Sequence, residues 1–202
     1  MSPAAAQALL AGSGLSVDDL TLVFAARPLS TTARLAMPLD TDETTQGRNV
    51  LAILPGHDSA HRDELVILGA HYDHLGADPD GTIWPGANGN ASGVAAMLEI
   101  ARSWQAQGYV PRRSVLFAAW DAGEIDLNGA THYVDRPQFP ITNTVTIAML
   151  NLDMIGAGAD TLYIDGSGPV AIQAKAIAQT LGITATDSYN RFRNNHTPFA
   201  AV

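Results

Sequence analysis

Histidine and carboxylate residues gather at three places in the 202-residue chain. His71, Asp73 and His74 stand in AHYDH, Asp121 and Glu124 in WDAGE, and Asp153 in NLDM. Each group closes an apolar run: VILGA before His71, SVLFAAW before Asp121 and TIAMLN before Leu152-Asp153-Met154. Short β-branched runs bounded by turn residues read as buried strands. In open α/β sheets, ligands bind beyond the carboxyl ends of the strands. His71 and Asp73, two residues apart, share one side of an extended chain. A carboxylate there can hold one imidazole nitrogen and leave the other for a metal. Imidazole and carboxylates brought together in this way can hold a cation or move a proton. The plainer alternative is a set of strands that end in polar loops.

The elements that must carry these residues alternate. Residues 3–11 read as a helix with Ser2 as cap and Pro3 in the first turn, ended by Gly12 to Gly14. Thr31 to Met37 and Asn49 to Leu54 read as an antiparallel edge pair around the loop Pro38 to Arg48. The central strand at Val66 follows the loop Pro55 to Glu64, and the loop Gly76 to Asn90 follows it. Ser92 to Gln107 has helical periodicity, with Val94, Met97, Leu98 and Ile100 expected toward the sheet. Ser114 to Trp120 is a second strand, with a helix expected from the Asp121–Glu124 corner to about Val134. Thr146 to Asn151 and Thr161 to Ile164 are further strands, and Val170 to Leu181 a helix; Asn190 to Val202 reads as loop. Such alternation indicates an α/β domain.

Composition narrows the function. A net charge of −9 and scattered basic residues argue against a nucleic-acid surface. The absence of cysteine excludes disulfides and thiolate metal sites. No stretch approaches the ~20 apolar residues of a membrane span, and the amino-terminal segment lacks the basic region of a signal peptide. Compartment stays open.

The motifs AHYDHLG (Ala70 to Gly76), NGNASGVAAMLEIAR (Asn88 to Arg102), RRSVLFAAWDAGEIDLNGATHYV (Arg112 to Val134), NLDMIG (Asn151 to Gly156) and NHTPF (Asn195 to Phe199) follow one another in order. In this order and spacing the chain resembles the co-catalytic di-zinc aminopeptidases, a family that includes bacterial leucyl aminopeptidases, glutamate carboxypeptidase and the transferrin receptor ectodomain. The resemblance implies a three-layer α/β sandwich, with a mixed, mostly parallel sheet between helices. It treats 1–202 as one domain that lacks the carboxyl-terminal part of the family fold. It implies His71, Asp153 and Glu124 as zinc ligands and Asp73 as the carboxylate behind His71. A further histidine ligand would come from a segment beyond Val202, and His196 belongs to a different family segment. Family members are often secreted.

Two family acids are replaced. The bridging aspartate, four residues before Gly93, is Gly89, and the general base, before Glu124, is Gly123. Asp126 stands where the family has glycine. Zinc needs about four N, O or S ligands and an open place for water. The resemblance therefore implies one weakly bound zinc or none, and peptidase activity that is impaired or altered. Asp121, Asp126 or Glu124 could take over as base. Restoring both Gly89→Asp and Gly123→Glu is the expected route to appreciable hydrolysis. Two other readings stay open: a non-catalytic binding domain that keeps the fold, and a metal-independent hydrolase of small activated esters. The last would use Ser92 or Ser167, neither of which lies in a G-x-S-x-G elbow. For Ser92 the alternative is a helix N-cap. A peptide is the expected substrate of an active chain. An uncovered sheet edge would favour self-association. His57, His61, His132, Glu99 and Asp135 read as surface residues, and Trp84, Trp104 and Trp120 as core or rim.

Overall fold

A computed structural model describes residues 2–18, 45–61, 63–137, 145–157, 161–166, 168–188 and 194–201. The chain divides into two compact units, Met1–Thr45 and Gln46–Val202. In the first, helix α1 (Pro3–Leu9) begins as its sequence suggests: Ser2 Oγ accepts the Ala5 N–H at 3.2 Å, and proline opens the first turn. The expected strand at Thr31 to Met37 lies outside the described residues.

The second unit runs β1 (Val50–Leu54), β2 (Glu64–His71), β3 (Gly76–Ala77), β4 (Ile83–Trp84), α2 (Ser92–Ala106), β5 (Ser114–Trp120), α3 (Asn128–Asp135), β6 (Val145–Asn151), β7 (Thr161–Ile164), α4 (Pro169–Thr180) and β8 (Thr184–Asp187). The main sheet has the order β1-β5-β2-β6. β2 lies parallel to both β5 and β6, and β1 pairs antiparallel with β5 at one edge. β6 forms the other edge among the described residues. β7 and β8 form a separate parallel pair, and β3 and β4 a short hairpin inside the expected loop.

Period-two alternation sends the two sides of the central strands into two cores. Leu65, Ile67, Leu116, Ala118 and Trp120 pack with Ala130 and Tyr133 of α3. Leu68, Val115 and Phe117 pack with Met97 of α2. Burial on both faces explains why β2 and β5 read as continuous apolar runs. One helix on each face makes the three layers. It also follows from right-handed crossovers: β2 to β5 steps one way along the sheet, and β5 to β6 steps back. The carboxyl ends of β5, β2 and β6 thus lie side by side where the strand order reverses.

Three local expectations are corrected. Leu98 faces solvent at 60% exposed, because the buried stripe of α2 runs through Gly93, Met97, Ile100, Ala101 and Trp104 instead. The segment after β5 does not enter a helix at the corner. Ala122, Asp126 and Leu127 have φ of 49°, 53° and 59°, which a right-handed helix cannot contain, so α3 starts only at Asn128. Ser92 is not an N-cap. It lies inside the helix, and Asn90 Oδ1 accepts the Gly93 N–H at 3.1 Å in the capping role. Of the tryptophans, Trp104 and Trp120 lie in the cores, and Trp84 is 45% exposed.

Candidate active site

His71 ends β2 with its side chain 7% exposed. Its Nδ1 donates to the Asp73 carbonyl at 3.1 Å, and Asp73 Oδ1 stands 3.4 Å from the same nitrogen. The Asp73 carboxylate is mainly engaged elsewhere. Oδ1 accepts the Gly123 N–H at 2.7 Å and Oδ2 the Glu124 N–H at 3.0 Å. Asp73 therefore ties the end of β2 to the turn after β5 and fixes the imidazole through its backbone. The other ring nitrogen, Nε2, points to Asp153 Oδ1 at 3.5 Å. That oxygen is buried and makes no hydrogen bond.

Asp153 is held from the far side. Asn194 Nδ2 donates to its Oδ2 at 2.6 Å, and Asn194 Oδ1 accepts from Asn151 Nδ2 at 2.8 Å and from the Asn195 N–H at 2.7 Å. Burial opposes both charges, but the facing partners outweigh it. Asp153 and Asp73 raise the His71 pKa above the usual imidazole value. His71 and Asn194 lower that of Asp153. The two side chains face each other, the imidazole buried and the carboxylate partly buried.

Glu124 lies apart from this pair. Its Oε1 is 3.1 Å from His74 Nδ1, and both side chains are partly exposed. Among the described residues no three His, Asp or Glu side chains converge where a metal ion could sit. His71 and Asp153 are thus brought together, and Glu124 is not brought to them.

The other acids have separate tasks. Asp121 Oδ2 accepts the Arg48 N–H at 2.6 Å, and the Asn49 side chain accepts the Asp121 N–H at 3.1 Å. The Arg48 N–H, reinforced by the Tyr72 hydroxyl against some burial, lowers the Asp121 pKa. Asp121 anchors the chain entering β1. Asp126 is exposed on the left-handed turn. Ser92 Oγ donates to the Asn88 carbonyl at 2.7 Å, and among the described residues no hydrogen bond joins it to an imidazole. Ser167 lies outside the described residues. His61 pairs with Asp58, which Arg112 holds well below the usual carboxylate range.

Neither type nor spacing singles out Asn194, and only the fold carries it across to Asp153. His74 stood in AHYDH from the start, but nothing in the sequence pointed it at Glu124.

The donor set does not fit a zinc pair. Gly89 supplies no bridging carboxylate, Gly123 no base, and Glu124 is turned to His74. A single cation finds two donors: His71 Nε2 and the orphaned Asp153 Oδ1.

The arrangement is an α/β sheet with His71 and Asp153 at the ends of neighbouring parallel strands, and solved structures share the fold. A zinc aminopeptidase from Bacillus subtilis, BSAP, superposes with a TM-score of 0.61 and 30% identity, over 76% of this chain and 37% of that one. LapB from Legionella pneumophila, at 22% identity and TM-score 0.61, shares the fold over 75% of this chain and 41% of its own. Residues 49–201 match Peptidase family M28, and the chain belongs to that family. Aminopeptidase YwaD of Bacillus subtilis (strain 168) is 31% identical over 83% of this chain and 36% of its own length. Leupeptin-inactivating enzyme 1 of Streptomyces exfoliatus is 30% identical over 79% and 34%. The chain thus spans about a third of the length of these two relatives. No helix among the described residues is long and apolar enough to cross a membrane.

Proposed function

We propose that the chain is a zinc aminopeptidase-type hydrolase domain whose peptide hydrolysis is impaired at the proton-transfer step. Its site holds at most one zinc, through His71 and Asp153, and its substrate class is a peptide with a free amino terminus. The observation that carries this reading is the pairing of His71 with a buried, unbonded Asp153 oxygen next to two glycines at acid positions. The Peptidase family M28 match and the zinc aminopeptidases among the relatives support the reaction class.

Bound zinc supplies a Lewis acid there that makes water more acidic. The chain's own residues do the rest unequally. Asp73 fixes the His71 tautomer through its carbonyl, leaving Nε2 for the ion. Asn194 and Asn151 hold the Asp153 carboxylate. Among the described residues no carboxylate takes the place of the missing base: the Arg48 N–H holds Asp121, His74 faces Glu124, and Asp126 is exposed on the left-handed turn. Loss of a general base costs about 10²–10⁴-fold in rate.

Initial rates on an aminoacyl p-nitroanilide, with and without added zinc, test the proposal. The expected rate lies at least about 10²-fold below that of a relative carrying both acids. Strong, chelator-sensitive turnover by the unmodified chain would refute the impairment. Chelator-resistant ester hydrolysis would refute the zinc reading.

A further inference from the structure

The two glycines at acid positions are unlike in their surroundings. A Cβ built on Gly89 meets ordinary contacts: His74 Cε1 and Met154 Cγ at 3.7 Å and His74 Nδ1 at 4.0 Å. Its φ of −112° is open to any residue. A Cβ built on Gly123 falls 2.5 Å from His71 Cβ, 2.7 Å from His71 Cγ and 3.1 Å from Asp73 Oδ1. Those are the near atoms of a buried ring, which cannot swing aside as the tip of a long side chain can. The crowding has a cause in the hydrogen bonding. The Gly123 N–H reaches Asp73 Oδ1 at 2.7 Å, and this draws the turn down onto the imidazole.

We infer that Gly123 is a positioning residue for His71. Its bare backbone closes on Asp73 and packs against the imidazole, and any side chain at 123 displaces the ring, whereas position 89 is free to accept one. The inference rests on the metal reading only for its effect on zinc; the packing itself does not depend on that reading. It also changes what restoration can achieve. Gly89→Asp adds a carboxylate beside His74 without crowding His71. Gly123→Glu places its new Cβ inside the His71 ring's contact distance, so the base is not recovered by that substitution alone or in the pair.

The test compares the full chain with Gly123→Ala, Gly89→Ala and Gly89→Asp. The readouts are ¹⁵N-resolved imidazole signals of His71 in metal-free protein, zinc affinity by calorimetry, and thermal melting. Gly123→Ala is expected to shift the His71 signals and lower zinc affinity about 10–100-fold, the usual effect of losing a group that orients a ligand. Gly89→Ala is expected to leave the His71 signals in place, and Gly89→Asp to tighten zinc. A purely structural role for Gly123 would lower the melting temperature without moving the His71 signals, and that result overturns the inference. So does a Gly89→Ala variant that shifts His71 as far as Gly123→Ala does. If Gly123→Ala does not fold, His71→Gly, which removes the atoms its new Cβ meets, is compared with the double variant His71→Gly/Gly123→Ala by urea unfolding. A double variant as stable as His71→Gly supports the inference, and one as damaged as Gly123→Ala overturns it. If the unmodified chain binds no zinc, the His71 signals still decide the role of Gly123.

Discussion

Replacing Asn194 with alanine tests the support beneath Asp153. The amide makes a hydrogen bond of 2.6 Å to Asp153 Oδ2 and accepts from Asn151 Nδ2 at 2.8 Å and the Asn195 N–H at 2.7 Å. A hydrogen bond to a charged group is worth ~1.5–3 kcal/mol net, and a buried donor left without a partner costs ~1–3 kcal/mol. Asn151 is only partly buried, so water can replace part of the loss there. Asp153 loses its one strong neutral donor while its Oδ1 already lacks a hydrogen bond. Asn194→Ala should therefore destabilise the metal-free chain by about 2–4 kcal/mol. With a slope of ~2 kcal/mol per molar, the urea midpoint falls by about 1–2 M. Asn194→Asp should be at least as damaging near neutral pH, because it sets two carboxylates against each other, and should recover in acid as one takes a proton. Gln107→Ala, which removes an exposed bond to Ser103, serves as the control and should change stability by less than about 0.5 kcal/mol. An Asn194→Ala midpoint that matches this control would refute the argument that Asn194 holds Asp153.

The facing pair should also show in pH dependence. The His71 pKa is raised, so its contribution is complete below the unfolded imidazole value of about 6.5 and is lost as pH rises through the folded value. The Asp153 pKa is lowered, so its contribution is present above the unfolded value of about 3.9 and is lost as pH falls through the folded value. The stability difference between the metal-free chain and His71→Phe should thus peak between about pH 4 and 6.5, and a flat difference across urea titrations would remove the ion pair from the account. Asp126→Gly should leave hydrolysis unchanged and raise stability by up to about 1 kcal/mol, since φ of 53° suits glycine; a fall in rate would return Asp126 to the catalytic set. Leu65→Ala, in a core position with 0% exposure, should cost about 2–5 kcal/mol by thermal or urea unfolding, and a smaller loss would mean that the sheet is less tightly covered than the packing indicates.

The strands carrying the site were legible because burial on both faces writes them as continuous apolar runs. β2 and β5 end where the sequence turns polar, at His71 and Trp120. The turn after β5 was not legible. Its left-handed residues are alanine, aspartate and leucine rather than glycine, so nothing in the chain announced that helix α3 would be delayed. Leu98 was misplaced because the apolar positions of α2 extend beyond the face that is buried. At the site, charged residues at strand ends stood out, and the neutral amide that holds Asp153 did not. Asn194 approaches Asp153 across 41 residues, a contact that only tertiary structure defines. The difference between Gly89 and Gly123 was equally invisible, since both read as an acid replaced by glycine until the neighbouring His71 ring was in place.

Zinc content bears most directly on the central claim, that the chain retains one incomplete ligand pair of the family's site and no more. The measurement is elemental analysis of the full chain, purified without chelator and dialysed, alongside His71→Ala. The expected result is at most one zinc per chain, and none in His71→Ala. Two zinc ions per chain, or zinc retained in full by His71→Ala, would contradict it.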